Sequence, residues 1–284
     1  MLSYLALTKP RISLLFAITG LAALIIEGSL SHDPFRLWLL VTAIFMIGGS
    51  ANAFNQYFER DVDKLMTRTA KKRPLPQGKI KPSAALLFSI TIGGIGTFVL
   101  WQWGTPSAAF LGLGTILFYS FYYTLWLKPR TPYNIVIGGA AGAAGPLIGW
   151  AAATGHLSWI AVVMFLIIFF WTPPHFWALA LCYKEDYARV NYPMFPLAKG
   201  DAATRRQILY YSMTLLPLSA SLYSLKAAGT LYLVVSSLLG LLFMGGAIRL
   251  YRIKTPRVYW QLFGYSIAYL LLLFVILIVD NLIA

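Results

Sequence analysis

Hydrophobic positions along this chain run on in blocks, each long enough, roughly 17 to 25 residues, to cross the hydrocarbon of a bilayer. Nine such blocks occupy about 12–30, 36–54, 83–103, 107–126, 133–153, 157–181, 207–226, 229–249 and 259–283. Within lipid only helices and closed barrels satisfy every backbone N–H and C=O, and blocks of this length read as helices. The pattern predicts an all-α, polytopic membrane protein with about nine transmembrane helices, residues 1–284 forming a single integral-membrane domain. The first block has no clear small-residue cleavage site and eight more follow it, so it is expected to be retained rather than removed as a signal peptide.

Composition agrees: 11% of residues are charged, against roughly a quarter in a water-soluble domain, and the mean hydropathy is +0.70. A net charge of +14 raises the question of nucleic acid, and the placement of the bases answers it. With the N-terminus in the cytoplasm, 21 of the 23 Lys and Arg fall on the cytoplasmic side; Arg36 and Lys226 fall outside. That is the positive-inside pattern, with lipid headgroups as the anionic partner. The expected partner is therefore the lipid bilayer, and nucleic acid is not expected. No transit peptide is apparent, so the expected location is a bacterial-type plasma (inner) membrane, with the C-terminus outside. The single cysteine, Cys182, excludes an intramolecular disulfide.

The polar positions gather in two cytoplasmic connections, about 55–82 and 182–206, which echo each other weakly. The first, NQYFERDVDKLMTRTAKKRPLP at 55–76, holds Glu59, Asp61 and Asp63 with six bases. Asn55, Glu59 and Asp63 are spaced by four, so a helix continuing from the second span stacks them on one side, while Asp61 points elsewhere. Carboxylates at this spacing repel unless a cation lies between them. Oxygen ligands of this kind suit Mg²⁺, which takes one or two carboxylates and completes its shell with water and substrate phosphates. The bases that follow, Arg68 and Arg73 among them, can grip phosphate oxygens. One reading is thus an Mg²⁺–diphosphate site; the other is a solvated, charged helix end of little net energy.

Asn55-x-x-x-Glu59-x-x-x-Asp63, followed by Arg68-Thr69 and Arg73-Pro74-Leu75, resembles the first signature of the UbiA superfamily of intramembrane prenyltransferases. LKPRTPYNIVIGGAAGAAGP at 127–146, WTPPHFWALAL at 171–181 and YKEDYARVNYPMFPLAKG at 183–200 look like its protoheme IX farnesyltransferase (haem O synthase) branch. The resemblance spans nearly the whole chain. It implies transmembrane helices around a central cavity, Mg²⁺-dependent ionisation of farnesyl diphosphate, and transfer of the farnesyl group to a vinyl group of protohaem IX (haem B) to give haem O. Downstream haem-modifying or terminal oxidase assembly proteins would then be further partners. The sequence departs from the superfamily at Gln56 and Glu59, where aspartates are usual. In the second signature, commonly two aspartates, Cys182 and Asp186 stand instead.

On this resemblance Asn55, Glu59, Asp63 and Asp186 are the candidate catalytic and metal-binding residues. Arg68, Arg73, Lys128, Arg130 and Lys184 are the candidate diphosphate ligands. Positive-inside anchoring explains Lys128 and Arg130 almost as well, and a charged helix end explains Lys184 and Asp186. His175 follows Pro173-Pro174 inside the sixth block, where an ionisable residue is by default a functional candidate. It is the candidate for haem, through the iron or a propionate, or else it bonds a carbonyl freed by the prolines. Phe118, Tyr119, Tyr122, Tyr123 and Trp126 read first as core and interfacial belt, and as cation-stabilising faces if they line the cavity. Gly138, Gly139, Gly142 and Gly145 read as close helix packing.

Three rival functions would use these residues differently. A quinone- or chlorophyll-pathway prenyltransferase of the same superfamily has less use for His175. A secondary transporter would place its acids near the membrane midplane rather than at one face. A haem-handling protein without catalysis has no use for the acid stripe.

Overall fold

The protein is described here by a computed structural model covering residues 2–283. A short helix, α1 (Leu2–Leu7), precedes the first two spans, α2 (Pro10–Glu27) and α3 (Pro34–Phe58). Two small helices follow outside the spans, α4 (Arg60–Leu65) and α5 (Thr67–Ala70). The next four spans are α6 (Pro82–Val99, wound on to Gly104), α7 (Pro106–Leu117, wound on to Leu127), the broken pair α8 (Asn134–Ala143) and α9 (Gly145–Thr154), and α10 (Trp159–Cys182). After the short α11 (Lys184–Arg189) and α12 (Phe195–Ala198) come α13 (Gly200–Ser224), α14 (Thr230–Arg252) and α15 (Pro256–Ile283).

Among the described residues the nine apolar blocks thus become nine long helices, eight of them long and apolar enough to cross a membrane. The other, α13, begins at Gly200 rather than near 207, and its first turns carry Asp201, Arg205 and Arg206. Proline opens α2, α3, α6, α7 and α15, where its missing N–H costs nothing and its φ is already helical. Gly28 and Gly155 end α2 and α9 at φ 84° and 80°, a left-handed turn that L side chains adopt with strain. Pro173 and Pro174 do not divide α10, although they remove the N–H donors due to the carbonyls of Phe169 and Phe170. The fifth span does divide, at Ala144, immediately before Gly145-Pro146. Large apolar side chains such as Phe35, Trp38, Leu87 and Phe110 stand exposed on the outer surface, as suits a protein whose solvent is lipid.

Two cores hold the bundle. One joins α10, α13, α14 and α15; the other joins α2, α3, α7 and α9. Where α2 meets α9, Gly149 lies so close to the backbone oxygen of Gly20 that a methyl group would not fit.

The two charged connections meet at one end. Both Asp186 oxygens are occupied by the other connection: Oδ1 accepts from the Thr67 amide and hydroxyl at 3.1 and 2.7 Å, and Oδ2 from the Arg68 amide at 2.9 Å. Met66, Tyr187, Tyr192 and Met194 pack with Ile135 and Ala180 beneath them. Four spans between the connections is the parity this contact requires.

Candidate active site

The acid stripe is built by α3 running almost without a break into α4. The Glu59 amide bonds the Asn55 carbonyl at 3.0 Å and the Asp63 amide bonds the Glu59 carbonyl at 2.8 Å, so the three side chains stack. They are 1–3% exposed. Asp61 turns outward and pairs with Lys64 at 2.8 Å.

Three cations converge on this stripe. Arg73 ion-pairs with Asp63 and, at 3.2 Å, with Glu59. Lys128 ion-pairs with the second Glu59 oxygen. Lys9, in the turn before α2, donates to Asn55 Oδ1 at 3.0 Å. Arg73 and Lys128 thus match the two carboxylates, and Lys9 is a third basic group against the amide oxygen. Burial would raise the Glu59 carboxyl, but Lys128 and Arg73 outweigh it and hold the group at about 2. Burial pushes Asp63 up despite Arg73. Burial and the Arg73 charge push Lys9 well below the usual lysine range.

A wider winding of the seventh helix brings Lys128 in. From Phe118 to Leu127 the turns are π-helical, and the Lys128 amide bonds the Tyr123 carbonyl five residues back at 2.9 Å. The same stretch presents Thr124, whose hydroxyl accepts from Asn55 Nδ2 at 3.1 Å. Tyr119 and Tyr123 stack at 5.1 Å, and Lys128 lies over the Tyr192 ring at 5.2 Å. The aromatic faces thus border the cluster.

Of the nine other candidates besides His175, Asn55, Glu59, Asp63, Arg73 and Lys128 come together. Asp186 lies in the neighbouring connection as the cap of α5. Arg68 reaches the Tyr183 ring at 5.8 Å, with its Nε buried and unbonded. Arg130 and Lys184 are placed differently from the expectation. Arg130 donates to the Leu125 and Trp126 carbonyls at 3.1 Å, closing the helix end. Lys184 pairs with Asp201 at 2.8 Å.

Sequence reasoning passed over Lys9, counted only as an anchor, and over Thr124. Gln56 also acquires a reason. Its Nε2 donates to the carbonyls of Ala6 and Leu7 at 3.0 and 2.9 Å, tying α1 to α3. A carboxylate has no proton to give those carbonyls.

His175 lies apart, on α10 where it packs against α15. Its ring is stacked between Trp171 at 4.3 Å and Phe263 at 4.7 Å. Nδ1 meets Ser266 Oγ at 2.6 Å, and that hydroxyl donates to the Phe263 carbonyl at 2.6 Å. The hydroxyl has one proton, so the imidazole proton belongs on Nδ1, leaving the Nε2 lone pair in the ring plane.

The donor set fits Mg²⁺ shared with a phosphate better than an all-protein cage. Two carboxylates and one amide oxygen lie together, and among the described residues no three His, Cys, Asp or Glu side chains form a metal group.

A multi-pass helical bundle with a buried acid–cation cluster at the end where its two charged connections meet defines a membrane-embedded protein with a polar site at one face. The chain belongs to the UbiA prenyltransferase family, whose profile matches residues 14–277. It is similar to the protoheme IX farnesyltransferase of Symbiobacterium thermophilum, 46% identical over 98% of this chain and 93% of that one. The protein of that name from Gloeobacter violaceus is also 46% identical, over 98% of this chain and 91% of its own. Among solved structures, one of a UbiA homologue from Archaeoglobus fulgidus bound to DMAPP and Mg²⁺ superposes with a TM-score of 0.69 at 16% identity, covering 96% of this chain and 99% of that one. A structure described under digeranylgeranylglyceryl phosphate synthase superposes with a TM-score of 0.80 at 19% identity, covering 99% and 98%. These likenesses define the fold.

Proposed function

We propose that the protein transfers the farnesyl group of farnesyl diphosphate to a vinyl group of haem B, making haem O and releasing diphosphate. The observation that carries this is the buried cluster of two carboxylates and three cations, together with near-full-length similarity to proteins named for that reaction. Mg²⁺ bound at Asn55, Glu59 and Asp63 would supply charge neutralisation of the leaving diphosphate. Arg73, Lys128 and Lys9 hold diphosphate oxygens as negative charge grows on them during C–O cleavage. Asp186, capping α5, keeps the Arg68 segment against the cluster. Tyr119, Tyr123 and Tyr192 exclude water and offer π-faces to the allylic cation, protecting it until the vinyl carbon attacks. Water then adds to the second cation and gives up a proton to solvent, leaving a hydroxyethylfarnesyl group.

Mass spectrometry of purified protein incubated with haem, farnesyl diphosphate and Mg²⁺ tests the reading directly. A farnesylated haem is expected; none, with both substrates bound, rejects it. A quinone-pathway aromatic acceptor is the alternative, and His175 argues against it. Both faces of that ring are covered, so only its edge, with the Nε2 lone pair, can meet an acceptor. We expect His175→Ala to weaken haem binding or shift the haem absorption spectrum more than it weakens farnesyl diphosphate binding. An unchanged haem spectrum and affinity would return the residue to a packing role.

The same proposal sets the clustered end in the cytoplasm of a cell with an inner membrane, where diphosphate substrates are made, and the C-terminus outside. It also leaves haem O to a downstream haem-modifying or oxidase-assembly protein. Single cysteines at Lys79, Lys199 and His156, each in a Cys182-free background, report this to an impermeant thiol reagent on intact cells. All three positions are exposed, and none has the left-handed backbone of neighbouring Gly78, Gly200 or Gly155. Labelling is expected at position 156 alone; labelling at 79 or 199 reverses the orientation.

A further inference from the structure

Arg205, in the second turn of α13, is 8% exposed and has no carboxylate within ion-pair reach among the described residues. Asp201, one turn earlier, is already paired with Lys184 at 2.8 Å. Among the described residues the only polar group that meets the guanidinium is the Tyr259 hydroxyl, at a long 3.5 Å. Its neighbour Arg206 is exposed and serves as an ordinary basic anchor. Protein, not lipid, covers Arg205. An arginine cannot escape such a position by losing its proton, and a buried charge without a partner is costly. Its Nε and Nη2 make no hydrogen bond among the described residues and are not sealed off, so the guanidinium keeps an open side that an anion can reach.

The surroundings say which kind. Tyr259 lies on α15, and Phe263 and Ser266 follow at four and seven residues, on the same face. Those two side chains hold His175. One helix face therefore joins Arg205 at the end of the bundle to His175 deeper in, over seven residues or roughly 10 Å of helix axis. That is about the scale from the centre of a porphyrin to the end of its acidic arms. Arg205 makes no contact with Glu59, Asp63, Arg73 or Lys128, which handle the diphosphate.

We propose that Arg205, with the Tyr259 hydroxyl, is a carboxylate subsite that grips a propionate of the tetrapyrrole acceptor and sets its macrocycle at His175. The inference rests on the haem-acceptor reading and adds to it the orientation: acidic edge at the charged end, apolar edge inward. A phospholipid headgroup offers the same anionic chemistry, and the experiment separates the two.

The full chain, in phosphatidylcholine nanodiscs with and without a minor share of phosphatidylglycerol, is titrated with haem and with haem dimethyl ester, whose propionates carry no charge. Wild type is expected to prefer haem. Arg205→Gln is expected to weaken haem roughly 10- to 100-fold, the scale of a hydrogen-bonded charge. It should leave the ester and farnesyl diphosphate affinities unchanged. Tyr259→Phe should lose part of the preference in the same direction, and it carries the test if Arg205→Gln does not fold. Equal weakening of haem and ester, or no change in either, overturns the proposal. So does an effect seen only as lost retention of phosphatidylglycerol, which assigns Arg205 to lipid. A wild type that binds haem and ester alike rejects the subsite and leaves the haem reading intact; one that binds neither rejects the haem reading itself.

Discussion

Asp63→Asn is expected to lower turnover roughly 100- to 1,000-fold, the usual scale when one preorganised electrostatic group is lost from a transition state. The substitution keeps the shape of the side chain and removes its charge. Arg73 still holds Glu59, so the polypeptide should express and fold as the parent does. Asp61→Asn, two residues away, should stay within about a factor of a few, because Asp61 is solvated and paired only with exposed Lys64 and half-buried Arg60. Steady-state rates of both variants, with Mg²⁺ titrated, provide the measurement. A raised Mg²⁺ requirement at position 63 alone would support the metal reading. Equal losses at 61 and 63 would refute the argument that one helical face carries the chemistry.

Arg73→Met is expected to cost stability as well as activity. Arg73 bridges both buried carboxylates, and its side chain is 12% exposed. Removing it leaves Asp63 without an ion-pair partner and Glu59 with Lys128 alone. Breaking a buried pair from one side typically costs about 3–5 kcal/mol, because the orphaned charge stays in place. Thermal unfolding of the purified variant should show a clearly lowered midpoint and no detectable farnesyl transfer. Adding Asp63→Asn to Arg73→Met should recover part of the midpoint, since the orphaned charge is gone, and none of the activity. If the double variant is no more stable than the single one, the pair does not contribute as described.

The two substitutions separate functions that sequence spacing could not. Spacing by four placed Asn55, Glu59 and Asp63 on one face because helix geometry is local, and the backbone bonds across residues 55–63 carry that through. Nothing local says which of eight nearby bases will face that stripe. Arg73 folds back from ten residues on, while Arg68 does not; Lys128 arrives from another helix and Lys9 from the turn before α2. Arg130, two residues from Lys128, ends on backbone carbonyls instead.

What the sequence by itself determined about this protein is its solvent, its helices and the acid stripe. Apolar length and backbone satisfaction are properties of consecutive residues, so eight of the nine blocks could be drawn within a few residues of the helices that form, and α13 alone begins two turns early. Proline at helix starts and glycine at helix ends set those limits locally. The break at Ala144 and the π-helical winding before Lys128 were not legible, since each depends on what packs beside it. Only the tertiary structure decided partnerships: Asp186 as a cap on α5, Gln56 as a donor to α1, Arg205 left without an acid. Those outcomes depend on side chains up to 119 residues apart meeting in one place, where burial makes every unsatisfied charge or hydrogen bond expensive.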